Sequence, residues 1–151
     1  LDAGGKTIFE KRHKTDGLDR VVAATLSKDR LYVLLGAKKG ERNSGRIESF
    51  DGKGEKQKFA VTFDGERNVF PQDMMMSGDQ MLVALWEKNN KNDKDNLSVL
   101  KRVSLSGKII SEREYLPGVP NRIRSLSRIT GGGVLAVGDI ERPGGIQAGW
   151  V

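Results

Sequence analysis

"TLSKDRLYVLLGA" (Thr25–Ala37) is the stretch whose reading decides the fold. An apolar residue leads into a short polar turn, and the turn leads into a run of aliphatic and aromatic residues. The same pattern returns as "MMSGDQMLVALWE" (Met75–Glu87) and "RITGGGVLAVGDI" (Arg128–Ile140). Aligning Leu26, Met76 and Ile129 gives spacings of 50 and 53 residues. A second pattern lies between these: "LDAGGKTIFEKR" (Leu1–Arg12), "FDGKGEKQKFAVTF" (Phe50–Phe63) and "LSGKIISEREY" (Leu105–Tyr115). Each is an apolar residue, a glycine-containing turn and an extended run, and Leu1, Phe50 and Leu105 are spaced by 49 and 55. Two independent landmarks therefore give one repeat of about 50 residues.

The repeat predicts four strands per unit. In the first full unit they are Arg20–Leu26, Arg30–Ala37, Arg46–Phe50 and Lys56–Phe63. In the next they are Val69–Met76, Gln80–Glu87, Leu97–Leu105 and Lys108–Tyr115. The last supplies Arg122–Ile129, Gly133–Ile140 and Ile146–Val151. Turn residues such as Lys28-Asp29, Gly78-Asp79 and Ser106-Gly107 punctuate the β-rich runs. The second strand of each unit ("LYVLLGA", "MLVALW", "VLAVGD") is nearly all apolar, as a strand covered on both faces is. The charged "EKQKF" and "SEREY" runs suit an exposed edge. Pro71 inside a strand requires an edge or a bulge. With 19 glycines, no window long enough for a 3.6-residue period remains.

Composition narrows the classes. The chain has 151 residues, 30% charged and 36% hydrophobic, and no run of about 18 apolar residues that would insert in a membrane. It has no cysteine and one histidine, His13. Disulfides, thiolate metal sites, cysteine nucleophiles and multi-histidine sites are excluded within it. The net charge of +6 is scattered rather than blocked, so a solvated basic surface is expected and nucleic acid is not. The first residues lack a signal-peptide pattern and an initiator Met, which reads as a mature, trimmed or internal sequence. A periplasmic or secreted setting is favoured over the cytoplasm, although the composition leaves the compartment open.

The stretch "GGGVLAVGD…GGIQAGWV", taken with "LDAGGKTIFEKR", resembles bacterial β-propeller repeats of the quinoprotein-like and delta-60 type. The resemblance covers nearly the whole chain. It implies an all-β fold of four-stranded antiparallel blades, about three of them, in a ring that this chain leaves incomplete. The expected units are residues 1–15 (the end of a preceding blade), 16–66, 67–118 and 119–151. Joining Val151 to Leu1 nearly restores a repeat junction. Three blades cannot close a ring of 4–8, so the rest is expected from a longer chain, a second polypeptide or a homodimer. The middle unit departs from the pattern, with a long polar insertion around "EKNNKNDKDN". The tryptophan-rich signature of quinone-cofactor dehydrogenases is absent.

Candidate chemistry is sparse. "NRIRSLSR" places Arg122, Arg124 and Arg128 on alternate positions of a strand, hence on one face. A first strand lining a propeller channel would present them to a carboxylate, a phosphate or an acidic loop. Asp19 and Val69 are taken as the equivalents of Arg122, so an internal Arg122–Asp19 pair is the plainer reading. "NNKNDKDN" offers oxygen ligands at Asp93, Asp95 and Asn96, but Lys91 and Lys94 oppose calcium and no EF-hand spacing exists. No cofactor is expected. "DGKGE" (Asp51–Glu55) reads as a turn, Met74–Met76 and the tryptophans as core, and His13 as a surface residue. No Walker loop, nucleophile elbow or zinc motif occurs. The expected function is noncatalytic protein or peptide binding through blade-end loops and the channel mouth. The alternative is part of a propeller hydrolase, lyase or oxidoreductase whose site uses other blades.

Overall fold

The computed structural model describes residues 4, 10, 20–89, 96–142 and 146–150. Among these residues there is no helix, and eleven strands follow in chain order. They are β1 (Arg20–Ser27), β2 (Arg30–Lys39), β3 (Arg42–Phe50), β4 (Lys56–Phe63), β5 (Asn68–Ser77), β6 (Gln80–Lys88), β7 (Leu97–Ser104), β8 (Ile109–Tyr115), β9 (Asn121–Arg128), β10 (Val134–Arg142) and β11 (Ile146–Trp150). They form three antiparallel meanders: β1-β2-β3-β4, β5-β6-β7-β8 and β9-β10-β11. No sheet closes on itself. The strands expected from the repeat match these to within a few residues. The largest difference is β3, which begins at Arg42 rather than Arg46 because Arg42–Ser44 pair with the end of β2.

Turn chemistry repeats with the strands. In Asp51–Glu55, Asp51 N–H donates to Glu55 O and Gly54 N–H to Asp51 O. Ser104–Lys108 repeats both bonds 53 residues later, with Gly107 in the place of Gly54. Gly54 and Gly107 have φ of 74° and 88°, a region that side chains avoid. The Asp51 carboxylate and the Ser104 hydroxyl each accept the N–H four residues on. "DGKGE" is thus a turn held by its own aspartate. The β1–β2 and β5–β6 hairpins close on two residues, Lys28-Asp29 and Gly78-Asp79. The β9–β10 connection is longer, with Ile129 N–H bonded to Gly133 O and Gly132 N–H to Ile129 O.

Every first strand carries a bulge at the same place. One residue is left over opposite β2, β6 and β10 respectively: Val22 in β1, Gln72 in β5 and Arg124 in β9. The bulge absorbs Pro71, which has no N–H to offer the ladder. It also corrects the sequence alignment. Counted from the bulge, the equivalent of Leu26 and Met76 is Arg128, not Ile129, and the equivalents of Arg122 are Arg20 and Phe70, not Asp19 and Val69. The longer β9–β10 loop supplied the offset.

The sheets stack face to face in chain order. β5 packs on β1, β2 and β3, and β9 packs on β5, β6 and β7. Between the first two sheets lie Tyr32, Leu34, Ile47, Phe59 and Phe63 against Met74, Met81, Val83 and Leu85. Between the second and third lie Leu82 and Ala84 against Ile123 and Leu126, with Met75 beside them. β6 therefore buries both its faces, and successive methionines of Met74–Met76 go to opposite sheets, as alternation requires. β2 turns Tyr32 and Leu34 to the second sheet, and Leu35, on its other face, is buried as well. β8 is exposed along its length as expected, whereas β4 alternates, burying Phe59, Val61 and Phe63 under the second sheet.

The two seams solve one backbone problem in different ways. Gly45 in β3 and Ser98 in β7 stand at equivalent positions, opposite Gly36 and Trp86. At the first seam the ring of Pro71 rests on Gly45, where a Cβ would lie 2.6 Å from it. Proline has no donor to satisfy. At the second seam the equivalent residue is Ile123, whose N–H is buried, and Ser98 Oγ accepts it at 2.7 Å. Asp73 adds a second tie, its Oδ2 accepting Leu126 N–H at 2.7 Å and Ser125 Oγ–H at 3.0 Å.

Candidate functional site

The bulge of β9 sets the geometry of a region where the two seams differ. At the second seam Arg122 lies over Trp86, its guanidinium carbon 4.7 Å from the ring centroid. Trp86 is backed by Phe70, with ring centroids 5.3 Å apart. Counted from the bulges, the corresponding positions at the first seam are Phe70 and Gly36, and the Phe70 ring packs on Trp86 instead. The second junction alone, of the two described, sets a cation on an aromatic plate, an attraction of about 0.5–1 kcal/mol when exposed and more when desolvated.

Arg122 is held at two points. The guanidinium rests over Trp86, and Nε donates to Gln72 Oε1 at 2.7 Å. Gln72 is the bulged residue of β5, and its amide nitrogen donates to Phe70 O and Pro71 O, which fixes which end of the amide faces Arg122. Neither Nη of Arg122 has a hydrogen-bond partner among the described residues. Arg124, the bulged residue of β9, donates from Nε to Asp139 Oδ2 at 2.5 Å. Arg122, Arg124, Asp139, Asn121, Asn96 and Trp86 line one cavity of about 140 Å³.

Asn121 builds the rear wall. It is buried, its Nδ2 donates to Tyr115 O at 2.7 Å and Val119 O at 2.8 Å, and its Oδ1 accepts Ser98 N–H at 3.3 Å. One side chain thereby joins the β8–β9 connection to β7. The local field is positive. Burial, then Arg124, then Arg20 make the Arg122 cation less favourable than usual, against Asp139, which favours it. Elsewhere, burial raises the Glu87 carboxyl above its usual range, with Lys101 the largest opposing influence.

The arginines of "NRIRSLSR" are not brought together as a set. Arg122 and Arg124 share the cavity. Arg128 lies beyond the bulge and donates to Met76 O at 3.1 Å. The bulge breaks the strict alternation that would have put all three on one face. Asp19, Asp93, Asp95 and His13 lie outside the described residues. Asn96 Oδ1 accepts Asn89 N–H at 3.0 Å, closing the neck of the β6–β7 loop. Among the described residues no three His, Cys, Asp or Glu side chains gather as a metal-binding group.

Sequence reading missed Gln72, Asn121, Asp139 and the role of Trp86. Only the aromatic character of Trp86 and the Arg-X-Arg spacing were visible signals. Trp86 is half-buried and lines the cavity, rather than lying wholly in the core. In comparisons with known proteins the chain matches no family model and no curated protein.

Proposed function

We propose that the chain is an arc of a β-propeller that acts without catalysis and binds a protein or peptide partner at the cavity over Trp86. The observation that carries this reading is the stack itself. Three meanders follow in chain order, their first strands lie adjacent, and each first strand is bulged at the same position. Radially repeated four-stranded meanders are the propeller plan. In repeat proteins the units keep a common frame and differ on the face that binds. Here the differing positions are the Phe70–Gly36 and Arg122–Trp86 pairs.

Apolar side chains exposed on the first strand support an arc that continues. The face of the first sheet turned away from the second leaves Val21 66% and Leu26 69% exposed. Counted from the bulge, these are the counterparts of Pro71 and Met76, which the second sheet uses to dock on the first. The remaining blades come from a longer chain, another polypeptide or a second copy. Native mass spectrometry of the purified chain tests this. Assemblies larger than the monomer support an open arc; a monomer stable at micromolar concentration counts against it.

The binding reading is tested by selecting displayed peptides on the folded chain. Selected peptides are expected to lose binding on Arg122→Ala or Trp86→Ala and to keep it on Lys53→Gln, a change at an exposed turn. Selections that yield no peptide sensitive to the cavity variants refute the reading.

A further inference from the structure

We propose that the cavity over Trp86 is a carboxylate site, so that the partner is an acidic peptide; this rests on the partner-binding reading above and narrows it. The argument starts from the Arg122 fork. Its Nε is already committed to Gln72, and its guanidinium carbon rests over the Trp86 ring. What remains is the end-on pair of Nη groups, both unpaired among the described residues. Two parallel N–H donors at fixed spacing match the two oxygens of a carboxylate.

Preorganisation strengthens the match. A free arginine loses side-chain freedom when it captures an anion, whereas Arg122 is already held by Trp86, Gln72 and, behind Gln72, two backbone carbonyls. The cavity of about 140 Å³ holds several times the liquid volume of one water, about 30 Å³. A carboxylate and the methylene carrying it fit that space.

Charge points the same way. Arg124 and Arg20 both act against the Arg122 cation, and Asp139, bonded to Arg124, is the carboxylate in the cavity wall among the described residues. The site therefore has a cationic surplus that one further anion relieves. Asp139 in the cavity wall repels a dianion more than a monoanion, which favours a carboxylate over a phosphate. An arginine at the first seam's corresponding position would face Gly36 without an aromatic plate. The repeat thus builds this site once among the described seams.

The test is fluorescence anisotropy with labelled hexaglutamate amide, hexaglutamine amide, and pentaalanine with a free C-terminal carboxylate. Hexaglutamate amide is expected to bind, and Arg122→Lys to weaken it by about tenfold or more, because lysine keeps the charge but loses the fork and the stacking. Lys53→Gln is the control and leaves binding unchanged. Circular dichroism melts of Arg122→Lys and Gln72→Ala separate loss of site from loss of fold. Gln72→Ala releases Nε while leaving every charge in place, so weaker binding there supports preorganisation. Binding of pentaalanine through Arg122 assigns the site to a chain-terminal carboxylate; binding of hexaglutamate amide assigns it to side chains. Equal binding of hexaglutamine through Arg122 overturns the carboxylate assignment and leaves partner binding standing. Affinity that falls equally with Arg122→Lys and Lys53→Gln overturns the site altogether.

Discussion

Ser98→Ala removes one hydroxyl from the seam between the second and third sheets. Ser98 and Ile123 are both fully buried. The hydroxyl accepts Ile123 N–H at 2.7 Å and donates to Asn121 O at 3.5 Å. The second contact is too long to contribute much. The first matters because its loss leaves a buried donor without its acceptor. Such an orphaned group costs about 1–3 kcal/mol. At about 2–4 °C per kcal/mol for a chain of this size, a loss near 2 kcal/mol lowers the melting temperature by about 4–8 °C. Urea unfolding followed by far-ultraviolet circular dichroism reads the loss directly. Ser111→Ala, on exposed β8, is the control and stays within about 0.5 kcal/mol. The first seam supplies a sharper version. Replacing Ser98 by Gly and Ile123 by Pro together recreates the Gly45–Pro71 pair, and the double variant is expected to be more stable than the two single losses summed, by about 1 kcal/mol. Ser98→Ala indistinguishable from wild type, with an additive double variant, would refute the donor–acceptor account of the seam.

Three further outcomes are expected. Gly138→Ala brings a Cβ to 2.2 Å from the carbonyl oxygen of Arg122, so it should pry β9 from β10, cost about 1–3 kcal/mol and weaken hexaglutamate binding; Gly149→Ala, with nothing nearer than 3.9 Å, should do neither. Glu87 has its folded-state pKa raised, chiefly by burial; its contribution to stability is therefore full below its unfolded value and lost as pH rises through the folded one. Glu87→Gln should accordingly stabilise the fold in urea melts at neutral pH and have no stabilising effect under strongly acidic conditions. Ser49 Oγ is buried without a hydrogen-bond partner among the described residues, so Ser49→Ala should leave stability unchanged or raise it by up to about 1 kcal/mol, and a loss above that would reveal a partner for the hydroxyl.

What the sequence determined was periodic. Apolar runs of strand length, separated by glycine and aspartate turns at a period near 50, are local signals, and they located the strands and their meander order. "DGKGE" could be read as a turn because an aspartate accepting its own following N–H groups needs no tertiary partner. The apolar run of β6 announced a strand covered on both faces for the same reason: burial on each side removes the need for alternation. What only the tertiary structure decided depends on single-residue register between strands that are far apart in the chain. A bulge changes which side a residue faces, and nothing in "NRIRSLSR" marks Arg124 as the extra residue. That one displacement separates Arg128 from Arg122 and replaces Asp19 and Val69 by Arg20 and Phe70 as the repeat counterparts of Arg122. Gln72, fifty residues from Arg122, became its acceptor only because β5 carries the same bulge and β9 packs against it. The cavity exists where two repeats meet, so its chemistry is a property of the seam and of neither repeat alone.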